Sequence, residues 1–124
     1  MLFKKLTLEE VLSSFTVAQK NYFAQKEILE TIERNFEEVQ RSYYMYKHYY
    51  EAALAEYTRF GGQVYSEKEL EARHKYALAA RNYRTEESRL SNQMWAFKKA
   101  HKTYKRLRKL LDKKEEQAKN NQPQ

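Results

Sequence analysis

The stretch RFGGQVYSEKELE, Arg59 to Glu71, holds both glycines of a 124-residue chain. The sequence on either side of it reads as helix over long distances. The segment is therefore either a hinge inside one continuous helix or the tip of a hairpin. Keeping Gly61 and Gly62 helical costs about 1 kcal/mol each relative to alanine. The same glycines serve well as a helix C-cap, after which the chain can turn and restart at Ser66. The expectation is a hairpin: helix 1 over about 7–60, a turn over about 61–66 and helix 2 over about 67–117. Residues 118–124, AKNNQPQ, read as a disordered tail beyond a single hairpin domain spanning 1–117.

Two capping boxes mark the helix starts. TLEE begins at Thr7 and SEKE at Ser66. In this pattern the hydroxyl accepts from the main-chain N–H three residues on, and the glutamate reaches back to the cap's own N–H. Pro123, the single proline, lies in the tail, so few internal breakers interrupt either helix.

A seven-residue stripe runs through the first segment: Leu8, Phe15, Tyr22, Leu29, Phe36, Tyr43, Tyr50 and Tyr57. Its companion row is Val11, Ala18, Gln25, Ile32, Val39, Tyr46 and Ala53, in which Gln25 alone is polar. The second segment repeats the stripe at Tyr76, Tyr83, Leu90, Phe97, Tyr104 and Leu111, with a weaker companion row read as Ala80, Glu87, Met94 and His101. Sustained heptads are the pattern of a left-handed coiled coil. Folding about residues 61–65 makes position i face roughly 126 − i, which superposes the two stripes. Tyr50 then meets Tyr76, Tyr43 meets Tyr83, Phe36 meets Leu90, Leu29 meets Phe97, Tyr22 meets Tyr104 and Phe15 meets Leu111. The expected fold is all-α, a two-helix antiparallel coiled coil with arms of about 78 Å at 1.5 Å per residue.

Charge is unevenly distributed. The chain carries a formal +7, with 41 % hydrophobic and 33 % charged residues. That is too apolar for a disordered chain and too charged for a thick core. Lys98 to Lys114 holds nine Lys or Arg against one acid, Asp112, whereas Glu27 to Glu38 holds five acids against Arg34. In the hairpin the acidic stretch faces Arg89, Lys98 and Lys99. A basic run of this density is attracted to acidic protein surfaces, phosphate backbones and anionic membranes. With no cysteine there is no disulfide framework or thiolate site. No apolar run approaches the roughly 20 residues of a membrane span, and MLFKKL is too short for a signal peptide. A soluble cytoplasmic protein without stable membrane insertion is expected.

Catalytic patterns are absent. There is no glycine-rich phosphate loop and no Gly-x-Ser-x-Gly, and His48, His74 and His101 are far apart in sequence. No metal, no cofactor and no enzymatic activity are expected. Aromatic residues outside the heptad rows, Tyr44, Tyr49, Tyr65, Phe23 and Trp95, read instead as candidates for binding partners.

The two near-equal arms, the Tyr-rich end of the first, the pattern YYEAALAEYTRF, a loop, and then SEKELEARHKYALAARNYRTEESRL resemble the FliJ/YscO family of type III secretion stalk proteins, nearest its EscO-type injectisome branch. The likeness in pattern covers roughly residues 43–90, and the likeness in architecture nearly the whole chain. It implies a central stalk protein that enters the pore of the hexameric secretion ATPase, stimulates it and links it to the export-gate protein, with some members handling secretion chaperones. It also implies a place at the inner-membrane secretion apparatus. Carried onto this chain, the ATPase-binding residues are Lys4, Lys5, Lys102, Lys105, Arg106, Arg108 and Lys109. The family's export-gate patch, aromatics one turn apart late in helix 1 and one early in helix 2, corresponds to Tyr46, Tyr50 and Tyr76, with Tyr49 beside them. Ala80 departs from the larger aliphatic residue of flagellar members. Without the resemblance, the residues alone describe a basic coiled-coil adaptor for an acidic protein, nucleic acid or an anionic membrane surface. A nucleic-acid binder would interleave stacking aromatics with its lysines, and within the basic run only Tyr104 does so. For this reason no nucleic-acid partner is expected.

Overall fold

The computed structural model describes residues 6–59 and 67–121. Two α-helices occupy them: α1, Leu8–Arg59, and α2, Glu67–Asn120. They pack against each other as an antiparallel hairpin. Lys4, Lys5, the expected turn with its two glycines, the Ser66 cap and Tyr65 lie outside the described residues.

The start of α1 follows from its cap. The Glu10 amide donates to Thr7 Oγ1 at 3.1 Å, and the Val11 amide donates to the Thr7 carbonyl at 3.0 Å as the first intrahelical bond. Glu9 and Glu10 add negative charge to the first turn, where the helix dipole favours it. At its other end α2 runs further than expected. It continues through Asn120 rather than stopping at 117, so residues 118–120 are helical and not tail. Ala118 and Lys119 are strong helix formers, and no residue that breaks a helix comes before Pro123.

The hairpin divides into two compact units. The first is Met1–Leu29 with Gln93–Gln124, and the second is Glu30–Asn92. In the first unit, Tyr22 stacks on Tyr104 with ring centroids 4.7 Å apart and also meets Phe97 at 5.5 Å. Phe15 stacks on Tyr104 at 5.5 Å. In the second unit, Tyr43 stacks on Tyr83 at 4.8 Å and meets Tyr76 at 5.7 Å. Phe36 meets Tyr83 at 5.5 Å, and Tyr50 meets Tyr76 edge-on at 5.4 Å. The expected pairs Tyr22–Tyr104, Tyr43–Tyr83 and Tyr50–Tyr76 are therefore present. Tyr22 and Tyr43 each also reach the α2 stripe residue seven positions earlier. A one-to-one ladder becomes one ring lodged between two, which is knobs-into-holes packing.

The α2 companion row differs from the expected one by a single position. It is Ala72, Ala79, Glu86, Gln93, Ala100, Leu107 and Lys114, all buried or half-buried at seven-residue spacing. The expected Glu87 and Met94 are exposed, while Ala80 and His101 are half-buried at the seam's edge. The true row follows the stripe by three residues, as on α1. Stepping four residues instead lands on the flank. The residues below one-tenth exposure are mostly small: Val11, Ala18, Ala53, Ala79, Ala100, Leu107 and Leu111. Two helices alone cannot enclose a phenol or phenyl ring, so the aromatic stripe stays half-buried while alanines reach the interior.

Three polar residues, Glu86, Gln93 and Lys114, interrupt the row. Gln93 Nε2 donates to Gln25 Oε1 at 2.7 Å and to the Gln25 carbonyl at 3.2 Å. Gln25 in turn donates to Asn21 Oδ1 at 3.4 Å. The polar member of the α1 row has thus found a polar member of the α2 row. Glu86 accepts from Arg89 at 3.0 Å with its side chain only 15 % exposed. Arg89, expected across the seam from the acidic stretch, pairs here within its own helix. The Lys75–Glu71 pair at 3.0 Å is likewise internal to α2.

Two stability measurements follow from this seam. Changing Leu29 or Phe36 to Ser removes half-buried side chains, and each change is expected to cost about 2 kcal/mol, at the low end for core truncation, read as a lowered denaturation midpoint. Replacing Gln25 and Gln93 together by Leu is expected to raise the midpoint. Gln25→Leu alone strips Gln93 of its side-chain acceptor and is expected to cost about 1 kcal/mol.

Candidate functional site

The basic run lies on α2 with all its charges outward except Lys114, which is half-buried in the companion row. Lys102, Lys105, Arg106, Arg108 and Lys109 are all exposed. Their separation from the seam follows from helical period: Leu107 and Leu111 are buried, Tyr104 is half-buried, and the intervening positions must point away. Arg108 Nη1 donates to the Tyr104 hydroxyl at 3.2 Å, which holds one guanidinium against the seam's edge. Leu107 and Leu111 are consumed by packing, so these lysines do not border an apolar face of the kind a membrane-surface helix presents. Tyr104, the aromatic residue within the run, is stacked between Phe15 and Tyr22.

The tyrosine-rich region divides between seam and surface. Tyr50 and Tyr76 are brought together within the seam. Tyr46 is half-buried and borders a shallow groove with Val39, Ser42, Lys75 and Leu78. Tyr49 is 57 % exposed and Tyr44 53 % exposed. Of the four expected export-gate residues, Tyr49 alone is freely accessible, and the other three take part in or flank the packing of the second unit.

Environment raises two phenols. Tyr76 lies above its ordinary value of 10.0, first through a hydrogen bond with Tyr43 and then through desolvation. Tyr83 is raised chiefly by desolvation and next by the Glu87 carboxylate. The Glu71 carboxylate raises the Lys75 ammonium by hydrogen bonding and charge.

Trp95 and Lys99 acquire roles that heptad spacing did not assign, and His101 takes one other than the companion-row place expected for it. His101 stacks on Tyr22 at 5.2 Å and on Phe97 at 5.9 Å, extending the ring layer to the seam's edge. Trp95 is 67 % exposed, and Lys99 Nζ stands 5.3 Å from its ring centroid in a cation–π contact. These two flank a second groove, floored by Ala18 and Ala100, in the first unit. Among the described residues no three potential metal ligands cluster, and no helix is long and apolar enough to cross a membrane. No protein-family model matches the chain, and neither a curated protein nor a solved structure is similar to it.

The raised phenols give a pH dependence of definite sign. Their contribution to stability is fully present below about pH 10, the unfolded value, and is lost as pH rises through the higher folded values. The melting temperature read by circular dichroism is expected to fall above about pH 10. Tyr76→Phe with Tyr83→Phe is expected to flatten that fall, leaving the part due to Lys75, which has the same sign.

Proposed function

We propose that this chain is the central stalk protein of a type III secretion system. It binds the pore of the hexameric secretion ATPase, stimulates hydrolysis and links the ATPase to the export gate, without being an enzyme itself. It works in the cytoplasm, at the periphery of the inner-membrane apparatus. The observation that carries this is the outward basic face at Lys102, Lys105, Arg106 and Lys109 on an antiparallel two-helix coiled coil. A pore lip rich in carboxylates suits such a face, and attraction of this kind steers association and weakens with salt. Lys4 and Lys5 add two further positive charges in the sequence before α1, and Tyr49, together with Tyr46, Tyr50 and Tyr76, is the surface offered to the gate protein. Burial of Leu107 and Leu111 and stacking of Tyr104 weigh against membrane-surface and nucleic-acid adaptors.

The test is the hydrolysis rate of purified hexameric secretion ATPase with and without the chain, at low and high salt. Stimulation that weakens with salt is expected. Reversing Lys102, Lys105, Arg106 and Lys109 to Glu is expected to abolish stimulation while helicity by circular dichroism is kept. Unchanged stimulation by the reversed variant would overturn the basic face as the ATPase contact, and salt-sensitive binding to arbitrary DNA with no effect on the ATPase would overturn the stalk.

A further inference from the structure

The groove in the first unit has two unlike lips. Its floor is alanine, Ala18 from α1 and Ala100 from α2. The groove opens on this side because the large stripe residues fill the other, where Tyr22 stacks with His101. On the α1 lip, Asn21 and Gln25 line the groove, and helical spacing puts Val17, one turn before Asn21, and Ile28, seven residues after it, on the same flank. Val17 is 67 % exposed and Ile28 44 %. On the α2 lip stand Trp95 and Lys99, and Arg106 and Lys113 follow Lys99 at seven-residue steps, all exposed. Glu10, in the first turn of α1, falls on the same α1 flank by helical spacing. The α1 flank is therefore nearly neutral, with the amides Asn21 and Gln25 between the exposed Val17 and Ile28, and the other lip is aromatic and basic with a heptad period.

We propose that this groove docks an amphipathic α-helix of a partner protein, whose aliphatic side chains fill the alanine floor and whose carboxylates, seven residues apart on one edge, meet Lys99, Arg106 and Lys113. A helix laid along a groove repeats its contacts at this spacing, so a single straight helix reaches all three cations. A phosphate backbone would have no use for Val17, Ile28 or the alanine floor. A second copy of the chain is a poor fit, because, of the apolar residues in its own acidic stretch, Leu29, Ile32 and Phe36 are already half-buried in its seam, which leaves only Ile28 exposed. Arg106 is shared with the ATPase-binding face, but the docking site is read with the chain alone and stands apart from the secretion proposal.

Trp95 is the chain's single tryptophan and reports directly on the groove. The probe is a synthetic three-heptad helix with leucines facing the floor and glutamates on the edge toward Lys99, added to the full chain. Trp95 emission is expected to shift to shorter wavelength and saturate, with no such shift for the same peptide carrying lysine in place of glutamate. Lys99→Glu with Arg106→Glu is expected to weaken the acidic peptide about tenfold, roughly 1.4 kcal/mol, and to admit the lysine peptide. No saturable shift with the acidic peptide, or equal affinity for both peptides, overturns the proposal. So does duplex DNA that shifts Trp95 and displaces the peptide. A shift on concentrating the chain alone, with a dimer in sedimentation, assigns the groove to a second copy and overturns the partner helix.

Discussion

Every feature of this protein depends on how the aromatic stripe of α1 lodges in α2. Tyr22 sits against both Phe97 and Tyr104, and Tyr43 against both Tyr76 and Tyr83. A ring held between two others resists sliding in either direction along the helix. The alternate row supplies the complement: Ala18, Ala53, Ala79 and Ala100 let the backbones approach closely enough for half-buried rings to touch. Ring pairs of this geometry contribute about 0.5–1.5 kcal/mol each beyond their buried area. A seam only two helices wide needs that addition, since it cannot remove large side chains fully from water.

Polar residues within the seam sharpen its register. Gln93 bonds both the side chain and the main chain of Gln25, so a shifted pairing leaves amides unsatisfied on both helices. A polar pair at a core position is a known means of selecting one alignment at some cost in stability. Glu86, held by Arg89 within α2, adds no bond across the seam, so it takes part in the row without helping to align it.

The seam also determines which surfaces remain for partners. Within the basic run, Leu107, Leu111 and Tyr104 are turned inward, which leaves Lys102, Lys105, Arg106, Arg108 and Lys109 exposed. Three of the four tyrosines expected at the gate-facing patch serve the packing of the second unit, and Tyr49 is left free. Trp95 belongs to neither heptad row and stands beside an alanine-floored groove. One asymmetry produces both outcomes: large side chains crowd one flank of the seam and small ones leave the other open.

The sequence by itself determined the helices, their antiparallel pairing and the identity of the stripes. These follow from local signals, namely the Thr7 cap, the paucity of breakers and a seven-residue period that survives every turn. It also located most of the charge, since lysines and arginines off the heptad rows of a two-helix coil point outward, whereas Lys114 falls in the companion row. Tertiary structure alone decided the α2 companion row, because three-residue and four-residue steps from a stripe differ only in which flank they reach, and facing side chains choose between them. It likewise decided that Arg89 pairs within its own helix, that His101 joins the ring layer and that Trp95 borders a groove. Each of these depends on the volume of residues far away in the chain. Periodicity along one helix says where a side chain points, and only the opposite helix says whether the space there is already filled.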